Sequence, residues 1–241
     1  MDATDRSLGL RLAVAAVLAT ILLVPVALLW ALVAGRWAPL HALDATVTDD
    51  LHRFAVTHPA WVDAMTWWSY AFDPNVWRLG ALVLIVWLVR RLATPVALWV
   101  ALTMAVGGAA GALLKLLAGR DRPDLLEPVA HATGYSFPSG HALNSALGAG
   151  VFLLVLLPLT RERPGRRRVL WAFAVVVPLV TGICRIGLGV HWTSDVLAGW
   201  LLGVAVVGVT AAGFEAWRRR SGGRPVEVAE EGVEPEIVSR A

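Results

Sequence analysis

A single cysteine, Cys184, in 241 residues excludes an intramolecular disulfide and any cysteine metal cluster. Charge is also scarce. Only 16% of the residues are charged, where a soluble domain carries about a quarter. With 57% hydrophobic residues and a mean hydropathy of +0.65, the deficit points to a chain embedded in a membrane. Lysine is almost missing: Lys115 is the only one among 21 basic residues. No acidic pair and no His-x-x-x-His spacing points to a bound metal, so no metal or other cofactor is expected. His41, His52 and His58 have no metal-ligand spacing and read as ordinary surface or interface histidines. No internal repeat and no second domain is visible. The net charge of +3 and the pI near 9.7 would raise nucleic acid as a partner in a soluble protein. Here the arginines sit at the ends of apolar runs, so they read as topology signals and no nucleic-acid partner is expected.

What is abundant is long apolar runs. Six are expected to cross the membrane as helices: 12–34, 76–89, 94–117, 141–157, 169–184 and 194–217. The first covers a hydrocarbon core of about 30 Å at about 1.5 Å per residue. It is longer than the apolar part of a signal peptide and is read as a retained helix. Between the first two runs, Leu43 to Tyr70 mixes Asp49, Asp50, His52 and Arg53 with Leu51, Phe54, Val56 and Trp61. That pattern predicts one or two amphipathic helices on the membrane surface. Gly107, Gly108 and Gly111 in the third run predict a close helix approach. Residues 118–138 form an irregular loop with Pro123, Pro128 and Gly134. Trp30, Trp37, Trp67, Trp68, Trp77, Trp192 and Trp217 lie near run ends, as interface anchors do. The fold class is therefore all-α: an integral membrane bundle of six transmembrane helices with an amphipathic interfacial segment between helices 1 and 2. Residues 1–220 form one membrane domain, and 221–241, rich in Gly, Pro and Glu, are expected to be a disordered cytoplasmic tail.

The arginines orient the bundle. With both termini on one side, that side holds fourteen basic residues and the other seven. The positive-inside bias then puts the termini in the cytoplasm and the cell membrane's opposite face next to the three polar clusters described next.

The first cluster is Lys115 to Arg122-Pro123. A cation at the bilayer centre costs about 2.5–3.5 kcal/mol on insertion scales, and less toward the interface. The second is Pro138-Ser139-Gly140-His141, where an irregular loop becomes a helix. A helix N-terminus offers free N–H groups to an anion, Ser139 adds a hydroxyl and Gly140 allows close backbone approach. The third runs from Cys184-Arg185 to His191 and Asp195. His191 and Asp195 are four apart at a helix start and share a face. The carboxylate can accept a proton from one ring nitrogen and leave the other as an attacking lone pair. Thr193 and Ser194 can cap that helix. The planar fork of Arg185 suits bidentate phosphate binding. Together the cations and oriented amides would hold a tetrahedral phosphoryl group, and two histidines allow a nucleophile and a general acid.

The order Lys-x6-Arg-Pro, Pro-Ser-Gly-His, Arg-x5-His-x3-Asp resembles the phosphatidic acid phosphatase type 2 and vanadium haloperoxidase superfamily. The motifs span Lys115 to Asp195, and the six-run layout extends the resemblance to nearly the whole chain. It implies a metal-independent membrane phosphatase acting on a lipid phosphate or diphosphate, of the undecaprenyl diphosphate, phosphatidic acid or phosphatidylglycerol phosphate class. It implies that His191 attacks phosphorus to form a phosphohistidine, that Asp195 orients His191, and that His141 protonates the leaving oxygen. Lys115, Arg122 and Arg185, with Ser139 and the Gly140 amide, would bind the phosphate. The family's third motif ordinarily begins Ser-Arg; here it begins Cys184-Arg185, and a thiol is a weak donor. A competing reading is a phospholipid-binding or transport protein that holds phosphate without turnover. The intact His–His–Asp set and the lack of a repeat count against it. The membrane spans count against haloperoxidase chemistry with vanadate.

Overall fold

The computed structural model describes residues 21, 23–222 and 232–233. Every regular element among them is helical: α1 (Leu23–Ala34), α2 (Ala38–Thr57), α3 (Pro59–Ala71), α4 (Pro74–Arg90), α5 (Thr94–Ala118), α6 (Gly140–Leu156), α7 (Pro164–Gly187) and α8 (Thr193–Arg220), with a 3-10 turn at Leu157–Thr160. Proline stands in the first turn of α2, α3, α4, α5 and α7, where its missing N–H leaves no helical bond unmade. The first turns of α6 and α8 have none and keep their N–H groups. Those two helix starts form the site.

Among the described residues, five helical units are long and apolar enough to cross a bilayer: Pro59–Arg90, Thr94–Ala118, Gly140–Thr160, Pro164–Gly187 and Thr193–Arg220. α1 and α2 bend by 92° against each other and make a sixth if they count as one broken span. The chain is thus an all-helical, multi-pass membrane protein. Much of the expected first run, 12–34, lies outside the described residues, and its visible part is α1. The amphipathic stretch forms two helices, α2 and α3. α3 leads into α4, so Pro59–Arg90 reads as one 32-residue unit. At about 1.5 Å per residue this exceeds a hydrocarbon core of about 30 Å. Most of the expected tail also lies outside the described residues. Within it, Val233 is buried and its N–H donates to the Leu154 carbonyl at 3.2 Å.

α6 is the central helix, with α4, α5, α7 and α8 packed around it. Its tightest seam is with α8. A Cβ on Gly203 would lie 2.9 Å from the Leu143 carbonyl oxygen, and one on Gly199 would lie 2.8 Å from the Ser139 carbonyl oxygen. Only hydrogen at both positions lets the two helices close to backbone contact. That contact sets the start of α6 beside the start of α8, where the Ser139 N–H donates to the Asp195 carbonyl at 2.9 Å. Of the glycines expected to serve close approach in α5, Gly107 and Gly111 face Leu147 and Leu143 of α6, while Gly108 faces open space. The tryptophan expectation needs one correction. Trp37, Trp67 and Trp217 are exposed as anchors are, but Trp77 is buried. Its ring lies on Gly148 of α6, where a Cβ would come within 2.3 Å of it, so it is a core residue.

Candidate active site

Lys115 lies in the last turn of α5, which ends on Gly119 in the left-handed conformation at φ 53°. The loop that follows returns on itself. The Ser136 N–H donates to the Arg120 carbonyl at 2.8 Å, and the Ser136 hydroxyl donates to the Arg120 and Asp121 carbonyls. This closure brings the Tyr135 carbonyl to Lys115, whose Nζ donates to it at 2.6 Å. Arg122 is anchored by its whole fork. Nε donates to Gly134 O at 2.9 Å, Nη2 to Thr133 O at 3.0 Å and Tyr135 O at 3.4 Å, and Nη1 to Val190 O at 2.6 Å. Nη1 also lies 3.2 Å from His191 Nε2. A guanidinium has five N–H groups, so these five contacts engage all of them.

The last contact fixes the state of His191. Arginine can only donate, so Nε2 must present its lone pair. The ring proton is then on Nδ1, which faces Asp195 Oδ2 at 3.4 Å. Burial pulls the His191 pKa down to about 4, against the opposing pull of Asp195. The ring is therefore neutral throughout the neutral range. Burial also lowers the Arg122 pKa from its ordinary value, with Asp195 opposing. Asp195 caps its own helix, since Oδ2 accepts the Trp192 N–H at 2.9 Å. The expected caps, Thr193 and Ser194, are employed differently. Ser194 bonds to Asp44 of α2, and Thr193 Oγ1 is buried without a partner.

His141 stands in the first turn of α6, with Arg185, His191 and Arg122 as electrostatic neighbours. Its Nε2 lies 3.6 Å from Asp73 Oδ2. Asp73 is the N-cap of α4, accepting from Asn75 N at 2.8 Å. Arg185 is buried near the end of α7, with Arg122 and Asp73 among its charged neighbours, and its Nε has no protein partner. Ser139 is the N-cap of α6: its Oγ accepts from Ala142 N at 3.5 Å, which leaves the hydroxyl proton free to donate. A Cβ at Gly140 would meet nothing within 4 Å, so the backbone there is open to a ligand. Lys115, Arg122, Ser139, Gly140, His141, Arg185, His191 and Asp195 are thus gathered at the meeting of the α5–α6 loop, the start of α6 and the α7–α8 connection.

Three polar residues in or beside this site carry no motif. Arg120 is buried between Asp44 and Asp195. Asp44 and Asp73 come from the stretch before α4. The one available signal was positional: Arg120 shares the short irregular stretch between Gly119 and Pro123 with Arg122. Cys184 is buried against Met65, Leu188 and Val190. His58 is exposed and stacked on Phe54 at 3.9 Å. No group of three His, Cys, Asp or Glu side chains suited to a metal occurs among the described residues. The cluster offers cations, free helix N–H groups and a neutral imidazole whose Nε2 lone pair faces Arg122, which together suit attack on a tetrahedral anion.

A family model described as the PAP2 superfamily matches residues 96–219, just over half of the chain. Phosphatidylglycerophosphatase B of Bacillus subtilis is 38% identical over 95 residues, 38% of this chain and 45% of that protein. Undecaprenyl-diphosphatase of Sulfolobus acidocaldarius is 42% identical over 79 residues, 33% of this chain and 32% of that one. Lipid A 4'-phosphatase of Bacteroides thetaiotaomicron is 32% identical over 114 residues, 43% of each. The matches span less than half the length of these relatives. Among solved structures, the transmembrane PAP2-type phosphatidylglycerolphosphate phosphatase from Bacillus subtilis superposes with a TM-score of 0.68. It covers 78% of this chain and 92% of that one at 23% identity, a likeness of fold.

Proposed function

Because this chain belongs to the PAP2 superfamily, we propose that it is an integral membrane phosphatase that cleaves a lipid phosphate or diphosphate through a phosphohistidine, without a metal. The observation that carries this reading is the state of His191: Nδ1 toward Asp195 and the Nε2 lone pair toward Arg122. An imidazole so held becomes a nucleophile once an arriving anion draws the Arg122 Nη1 proton away from Nε2.

In the proposed first step, His191 Nε2 forms a bond to phosphorus while the bond from phosphorus to the lipid oxygen breaks. His141 gives its proton to that oxygen. In the second, water attacks phosphorus, the N–P bond breaks and His141 takes the water's proton. Lys115, Arg122, Arg185, the Ser139 hydroxyl and the Gly140 amide offset the charge on the phosphoryl oxygens. Asp195 stabilises the imidazolium character of His191. The names of the relatives support trying phosphatidylglycerol phosphate, undecaprenyl diphosphate and a lipid A phosphate as substrates, with phosphatidic acid. The test is phosphate release by purified protein in detergent with EDTA, from each of these lipids. Release that survives chelation is expected. Release that needs an added divalent ion would refute the metal-free mechanism, and no release from any of them would refute the phosphatase reading.

We also place the termini in the cytoplasm and the site on the other face of the cell membrane, from the arginine distribution. A His131→Cys variant in the α5–α6 loop should react with an impermeant thiol reagent added to intact cells. Cys184 is buried and gives little background. Labelling only after the cells are broken would invert the orientation.

A further inference from the structure

We propose that Arg120 is a positioning residue of this site and that Asp44 is its counterweight: the guanidinium holds Asp195 so that its other oxygen faces His191, and Asp44 shares that guanidinium so that Asp195 keeps its negative charge for the imidazole. The proposal rests on the phosphatase reading above. The geometry is specific. Arg120 Nη1 donates to Asp195 Oδ1 and to Ser194 Oγ, both at 2.7 Å, and Nη2 donates to Asp44 Oδ2 at 2.7 Å. Asp44 is bound in turn by the Ser194 N–H at 2.9 Å and the Ser194 hydroxyl at 2.6 Å. The Trp192 ring covers the guanidinium at 5.3 Å. None of Asp44, Arg120, Ser194 and Asp195 is more than 7% exposed.

Two features separate this cluster from a plain structural ion pair. The first is orientation. With Oδ1 fixed by Arg120, Asp195 can turn only Oδ2 toward the helix cap and His191, which is the arrangement found. The second is charge. Arg120 and Asp195 alone would be neutral, and a neutral pair gives an imidazolium little to lean on. A second buried carboxylate is costly to desolvate and adds nothing a neutral pair lacks as a mere tie. It leaves the cluster with one net negative charge. Forming the bond from Nε2 to phosphorus moves one positive charge onto the imidazole, so the cluster is matched to the phosphorylated state. The Asp44 carboxylate also sits at the N-terminus of α8, where the helix favours an anion.

The test compares two oxyanions that use the pocket differently. Orthovanadate accepts a fifth ligand and draws on His191 Nε2, while inorganic phosphate stays four-coordinate and draws on the cations. In detergent-purified full-length Asp44→Asn, which is isosteric, and Arg120→Lys, which keeps the charge but not the fork, orthovanadate affinity is expected to fall about 10- to 100-fold, the range usual for residues that orient another group. Phosphate affinity should stay within about twofold. If a lipid is turned over, kcat should fall by a similar factor with little change in KM. Equal loss of both anions would reduce Arg120 and Asp44 to structural ties and overturn the proposal, as would unchanged orthovanadate binding. The anion comparison needs no turnover, so failure of the phosphatase reading would be seen separately, in a wild type that hydrolyses nothing.

Discussion

His191→Ala is expected to lower phosphate release at least about 10⁴-fold, as removal of a nucleophile does in other covalent hydrolases. The chain should nonetheless fold. His191 is 2% exposed, so truncation opens a cavity and removes its two hydrogen bonds, to Asp195 and from Arg122, at a cost of about 1–3 kcal/mol. It does not orphan a charge, because Asp195 keeps Arg120 on Oδ1 and the Trp192 N–H on Oδ2. The measurement is turnover beside elution and melting in detergent. A folded variant that retains a tenth of wild-type activity would remove His191 as the nucleophile. Acid gives a second readout. The His191 pKa is about 4 in the folded chain against 6.5 ordinarily. As pH falls below 6.5 the unfolded chain takes up this proton first, so stability present above 6.5 is lost on the way to about 4. Melting of the wild type should therefore decline more steeply over that window than melting of His191→Ala.

Arg122→Lys is expected to cost about 10²–10³-fold in kcat/KM although the charge is kept. The guanidinium joins four backbone carbonyls from two loops, those of Thr133, Gly134, Tyr135 and Val190, and reaches His191 as well. A lysine nitrogen has three N–H groups at one point and cannot span these acceptors. The 133–135 turn and the 190–191 connection would then lose their common tie, and Lys115 would lose the fixed position of its Tyr135 acceptor. A loss shared between kcat and KM is the expected signature. Activity within threefold of wild type would show that charge alone suffices.

The helices and the three clusters were legible because each leaves a local mark. Apolar runs, bounding arginines and helix starts lie within a few tens of residues of one another. His191 and Asp195 announce themselves by a four-residue spacing. Asp44 and Arg120 do not. They are 76 residues apart, and each reads locally as a charge at a membrane surface. Only the closure of α8 on α6 and the docking of α2 at its first turn make them buried partners. Thr193 and Ser194 show the same limit. Both are good caps in principle, but Asp195 reached the free N–H first, and Ser194 was drawn to Asp44. Trp77 was misjudged because a run end in sequence is not an interface in space: Gly148 leaves a hollow for its ring.

The two carboxylates that flank the site, Asp44 and Asp73, lie outside residues 96–219, the stretch that matches the family model. Within that stretch the site holds Lys115, Arg120, Arg122 and Arg185 against the single carboxylate of Asp195. The counter-ions for the surplus are carried by the first third of the chain. A boundary drawn by similarity therefore separates the site's cations from two of its three carboxylates and leaves every motif residue on one side. Exchanging that first third between relatives would retune the charge an arriving anion meets by up to two units, with the motif residues untouched.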